Sequence, residues 1–147
     1  MTIAAVRNGL VTTIQNFGKW SASQISTCDF GIAELTASSV VLQPGPNSLI
    51  EPLSYRSTAC ATTKGVTWDF TGVVLVKDPG DPRTLLGNLW VAVDDIFSSV
   101  NSDDTFGGVV EEAHIVSISR PSIDSFFTTG NVDFGYVTFS VRAYERI

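Results

Sequence analysis

An α+β fold, in which a mostly antiparallel sheet carries two amphipathic helices on one face, is predicted by three features of the sequence. Apolar residues recur at helical spacing in two stretches, 2–17 and 81–101, and alternate at strand spacing in 66–77 and 132–146. Asp78-Pro79-Gly80-Asp81-Pro82 marks the change from strand to helix between them. Two helical stripes and two long strands bury most simply when both helices lie on the same side of the sheet. The 147 residues read as a single domain, 1–147, with a long arm or hairpin at about 44–65.

The first helix runs from an N-cap at Thr2 to about Phe17, with Ile3, Val6, Leu10, Ile14 and Phe17 on one stripe and Gly18 as its stop. Gly9 in its middle costs about 1 kcal/mol against a good helix former, which points to fraying or to a close neighbour at that residue. From Lys19 to Ala37 the pattern is poor, and Trp20 and Phe30 are the anchors. Ser38–Gln43 reads as a short buried strand that Pro44-Gly45-Pro46 ends. Residues 44–65 are rich in Pro, Gly, Ser and Thr around Leu49, Ile50, Leu53 and Tyr55, and Ser54–Thr62 could pair with the following strand.

Val66–Lys77 is a strand with Trp68, Phe70, Val74 and Val76 on one face and Thr67, Asp69 and Thr71 on the other. Asp81 caps the second helix and Pro82 takes its first position, where a missing N–H is harmless. Its buried stripe is expected to be Leu86, Leu89, Val93, Ile96 or Phe97, and Val100, and Asn101–Asp104 ends it. A strand follows Gly107-Gly108 and reaches about Arg120, with a bulge expected near Glu111-Glu112. Residues 122–131 read as a connection to the last strand, Val132–Arg146. There Val137, Phe139, Val141 and Ala143 alternate with Tyr136, Thr138, Ser140, Arg142 and Tyr144.

Composition narrows the function. Nine basic residues against fifteen acidic ones give a net charge of −6, too little positive charge to grip phosphates. Only 16% of residues are charged while 44% are hydrophobic, which leaves a sparsely charged surface suited to subunit contacts. Cys28, Cys60 and a lone histidine, His114, are too few for a structural zinc site, and no metal or cofactor is expected. Arg7-Asn8 interrupts Ile3–Val6 before an apolar region develops, so neither a secretory signal nor a membrane span is expected.

Glu112 and His114 share a strand face and could act as a base and its orienter, the basis of a remote reading as a small hydrolase. No nucleophile elbow accompanies them, and the expectation is that the chain is not an enzyme. A cytosolic ligand-binding domain is a further alternative. Asp94-Asp95, Asp103-Asp104 and Glu111-Glu112 are adjacent pairs whose members point apart, so they form no ready carboxylate cluster. The apolar residues of 44–65 would lie exposed on a plain loop, so they either fold onto their own domain or dock on a neighbour.

The layout resembles the tail terminator proteins of long-tailed bacteriophages, the lambda-like minor tail protein family. The match lies in a first helix like Thr2–Phe17, a central strand like Trp68-Asp69-Phe70-Thr71-Gly72-Val73-Val74, a helix like Asp81–Asn101 and strands to the end. The resemblance implies a homo-oligomeric six-fold ring that caps the tail tube and meets the head-completion or neck proteins. DNA would pass through its lumen without specific binding. It also implies manufacture in the host cytoplasm and residence in the virion tail. In such a ring Asn47, Leu49, Ile50, Leu53, Tyr55, Tyr136, Arg142 and Tyr144 are the expected subunit-contact residues. A tube subunit or a head–tail joining protein is the nearest alternative.

Overall fold

The structure, a computed structural model, describes residues 3–20, 24–26, 38–44, 49–52, 64–129 and 132–146. Phe30, Cys28, Cys60 and three of the expected contact residues, Asn47, Leu53 and Tyr55, lie outside them. In chain order the elements are α1 (Ile3–Asn16), β1 (Ile25–Ser26), β2 (Ser39–Pro44), β3 (Leu49–Pro52), β4 (Lys64–Lys77), α2 (Pro82–Ser102), β5 (Glu112–Ile118), β6 (Ser122–Thr129) and β7 (Val132–Arg146).

The long strands β4 and β7 pair antiparallel from Gly65↔Arg146 to Lys77↔Phe134 and form the centre of one sheet. On the outer edge of β4 lie β2 and β3, and on the outer edge of β7 lie β5 and β6. The short β1 pairs parallel with β2, the one parallel ladder among the described residues. The alternation in β4 and β7 sorts their side chains as the sequence predicts. Phe70, Val74 and Val76 with Val137, Phe139, Val141 and Ala143 form the core with both helices, and Trp68 packs against it. The fold is the expected α+β arrangement, with both helices contributing to that one core.

Two glycines set how closely layers approach. A Cβ on Gly9 would lie 3.1 Å from the Phe106 Cβ and 3.4 Å from the Phe106 carbonyl oxygen, so α1 passes tightly over the turn after α2. This accounts for the glycine inside that helix. Phe106 itself is buried at φ 51°, a backbone conformation that costs a non-glycine residue about 1–2 kcal/mol. A Cβ on Gly135 would lie 3.0 Å from Leu85, so α2 rests on β7 at that point.

Three expectations are corrected. Residues 122–129 form a strand, β6, whose Thr129 pairs with Val132, so the last two strands make a hairpin rather than a connection and a strand. The partner of β4 near Gly65 is Leu49–Pro52, not Ser54–Thr62, which lies outside the described residues. The β5 bulge falls between Ile115 and Ser117, not at Glu111-Glu112, because pairing with β7 is already regular from Glu112↔Tyr144.

Candidate association surface

Helix α2 begins where Asp81, still in an extended backbone conformation, accepts the Arg83 amide at 3.3 Å and the Thr84 hydroxyl at 2.8 Å. The Thr84 hydroxyl, followed by the Arg83 amide, holds the Asp81 carboxyl below the usual carboxylate range. From this start the helix buries Leu85, Leu89, Ala92, Ile96, Ser99 and Val100 against the sheet. That stripe lies one residue round from the expected one: Leu86 and Val93 are only half-buried, and Phe97 is exposed. Leu89, Ile96 and Val100 belong to the buried stripe as expected. Gly135 decides the rotation, since its missing side chain admits Leu85 rather than Leu86.

The displaced residues make a second apolar stripe, Leu86, Trp90, Val93 and Phe97, at spacings of four, three and four. Opposite it runs the end of β5. The Ser119 amide donates to the Thr138 carbonyl at 2.8 Å, and the Ser119 hydroxyl accepts the Thr138 amide at 2.9 Å, which fixes the strand just past Ile118.

Between helix and strand lie two adjoining depressions of about 630 and 530 Å³ that share Trp90, Val93 and Ile118. Leu86, Arg120 and Pro121 line one end, and Asp94 and Phe97 line the other. Trp90 is 54% exposed, Val91 61%, Phe97 43% and Ile118 40%, with Val116 at 44% two residues back on β5. These five exposed large apolar side chains all lie on α2 or β5. A cluster of this kind on a surface marks a contact site. The groove has the form that receives apolar protein surface, with Trp90 in its middle and a charged residue at each end.

Of the residues expected to meet neighbouring subunits, Leu49 and Ile50 lie in β3, paired with Thr67 and Val66 of β4. Tyr136, Arg142 and Tyr144 are half-buried on the face of β7 turned from the helices. Tyr136 packs there against the small cluster of Val41, Leu75 and Phe134. Arg142 stands 4.0 Å from the buried carboxylate of Asp69. Glu112 and His114 are both exposed on β5, opposite Tyr144 and Arg142. The structure thus brings His114 beside Arg142 and Glu112 beside Tyr144 on the sheet face away from the helices.

Among the described residues no three His, Cys, Asp or Glu side chains are placed to hold a metal ion. No helix among them is long and apolar enough to cross a membrane. No protein-family model matches the chain, and no curated protein sequence matches it.

Sequence reading did not select Trp90, Val91 or Ile118 as contact residues. The available signal was the width of the apolar arc on α2, which carries two overlapping stripes where one suffices to bury a helix.

Proposed function

We propose that this chain is a structural subunit of a phage tail, a tail terminator whose copies form a six-fold ring. The ring caps the tail tube and joins it to the head-completion proteins of the neck. One observation carries the reading: the groove between α2 and β5, where Trp90, Phe97 and Ile118 stand exposed. Aromatic anchors in such a groove gain most from a protein partner that removes them from water.

The family resemblance supplies the ring and its partners. A net charge of −6 suits a lumen that lets DNA pass without holding it. Around the ring, the 44–65 segment and the outer face of β7, with Tyr136, Arg142 and Tyr144, are the further contact surfaces. On this reading the chain turns over no substrate and takes no cofactor; it is made in the host cytoplasm and ends in the virion tail.

Electron microscopy and native mass spectrometry of the purified protein, alone and with tail tubes, test the proposal. Rings seated on tube ends, with tube growth halted, are the expected result. Long tubes built from this chain itself would make it a tube subunit instead. A strict monomer at high concentration that binds neither itself nor tubes would overturn the assembly role.

A further inference from the structure

We infer that the groove between α2 and β5 receives residues 51–56 of a neighbouring copy of this chain, laid along it as an extended strand. The inference rests on the reading of the chain as a ring-forming subunit and names the joint between its copies.

Three observations select this occupant. The first is chemical. The groove is apolar in its middle, at Trp90, Val93 and Ile118, with Arg120 at one end and Asp94 at the other. Arg120 and Asp94 are both exposed. Glu51-Pro52-Leu53-Ser54-Tyr55-Arg56 carries the complement in order: a carboxylate, two apolar side chains at strand spacing, and a guanidinium. With Glu51 set at Arg120, Leu53 and Tyr55 fall over Trp90 and Ile118, and Arg56 meets Asp94.

The second is length. Leu86 and Phe97, at the two ends of the groove, are eleven helical residues apart, about 16 Å at about 1.5 Å each. Glu51 and Arg56 are five strand steps apart, again about 16 Å at about 3.3 Å each.

The third is reach, and it makes the contact intermolecular. Pro52 pairs with Lys64 at one end of β4, whereas Ile118 lies opposite Phe139 and Phe139 opposite Gly72. Lys64 and Gly72 are eight residues apart, so Ile118 lies about 26 Å further along the sheet than Pro52. It also lies three strand spacings across, from β3 through β4 and β7 to β5, or about 14 Å. Together these separate the two by about 30 Å. Tyr55 is three residues past Pro52 and extends no more than about 11 Å from it. The groove of its own copy is out of range.

A segment set into a groove joins two different surfaces, so the contact is head-to-tail and repeats around a ring. The charged ends set register, and the apolar middle supplies affinity.

The test combines native mass spectrometry with sedimentation over a concentration series, alone and with tail tubes. Trp90→Glu spoils the groove and Tyr55→Asp spoils the segment. Each should weaken self-association by about 30-fold or more, the loss expected of an interface anchor. Trp90 is 54% exposed, so that variant should fold; circular dichroism and melting curves check both. Mixed in equal amounts, with one of them 15N-labelled, the two variants should form a heterodimer that grows no further. One intact segment then meets one intact groove, and no second joint is left.

Arg56→Glu and Asp94→Arg should each weaken assembly by about five- to ten-fold, and the double variant should recover most of the loss. No heterodimer in the mixture, or no recovery in the double variant, would overturn the inference and leave the ring reading standing. Assembly unchanged by Trp90→Glu would overturn it and remove the groove as support for the proposed function. A wild-type chain that stays monomeric alone and with tubes would overturn both.

Discussion

Replacing Gly72 by alanine tests the packing on which the sheet's helix-facing side depends. Gly72 pairs with Phe139 across the centre of the sheet, and the Phe139 ring lies over it. A Cβ at residue 72 would fall 2.2 Å from the Phe139 Cζ, 2.5 Å from Cε1 and 2.7 Å from Cε2. Carbon atoms pack comfortably at about 3.5 Å or more, so the ring would have to withdraw by about 1.3 Å (3.5 less 2.2). Phe139 is 3% exposed within the core that holds Leu89 and Val137, which leaves it little room to move.

Overpacking of this kind costs about 1–3 kcal/mol, occasionally more. Relief of the excess glycine entropy returns only about 0.5–1 kcal/mol. Because a 2.2 Å contact belongs at the upper end of that cost, Gly72→Ala should destabilise by about 2 kcal/mol, a fall in Tm of about 4–8 °C for a domain of this size. Urea and thermal unfolding of Gly72→Ala, Phe139→Ala and the double variant make the test a cycle. Phe139→Ala alone should cost about 3–5 kcal/mol. In its background Gly72→Ala should be neutral or mildly stabilising, because the ring it strikes has gone. An equal loss from Gly72→Ala in both backgrounds would refute the reasoning, as would a neutral single variant.

Further outcomes follow from other contacts. Gly135→Ala should cost less than Gly72→Ala, about 1–2 kcal/mol in urea unfolding, because the 3.0 Å contact is with the ends of a flexible leucine. Trp68→Phe removes the 2.9 Å hydrogen bond from the indole Nε1 to the buried Glu145 carboxylate, and a loss of about 1.5–3 kcal/mol is expected in the same assay. The Asp81 carboxyl has a lowered pKa when folded, so its contribution is present above the ordinary value of 3.8 and fades as pH falls through the folded value. Acid unfolding of Asp81→Asn, which keeps a capping oxygen, should lack that part of the pH dependence below about pH 4. His114→Ala, on an exposed strand face, should change stability by no more than about 0.5 kcal/mol. Loss of a substrate turnover in that variant would restore the enzymatic alternative.

Much of the fold was legible because local chemistry and long-range packing agree. The Val6, Leu10 and Ile14 stripe, the Asp81-Pro82 helix start and the alternation in β4 and β7 each stand as read. Residues 122–129 were missed because Ser122-Ile123-Asp124-Ser125 alternates too briefly to register, while Phe126-Phe127 breaks the alternation. The groove was missed for a different reason. In Leu85–Phe97 the inner and outer stripes differ by one residue, a turn of about 100° on a helix. Ala92 and Ser99 made the true inner stripe look weak, whereas Leu86, Val93 and Phe97 made the outer one look strong.

By itself the sequence determined the two helices, the two long strands, the acidic balance and the width of the apolar arc on α2, since these depend on residue type and spacing alone. Only the tertiary structure decided which apolar arc faces inward. Helix rotation is set by the surface beneath, and here the bare backbone at Gly135 takes Leu85 and turns Trp90 and Phe97 outward beside Ile118.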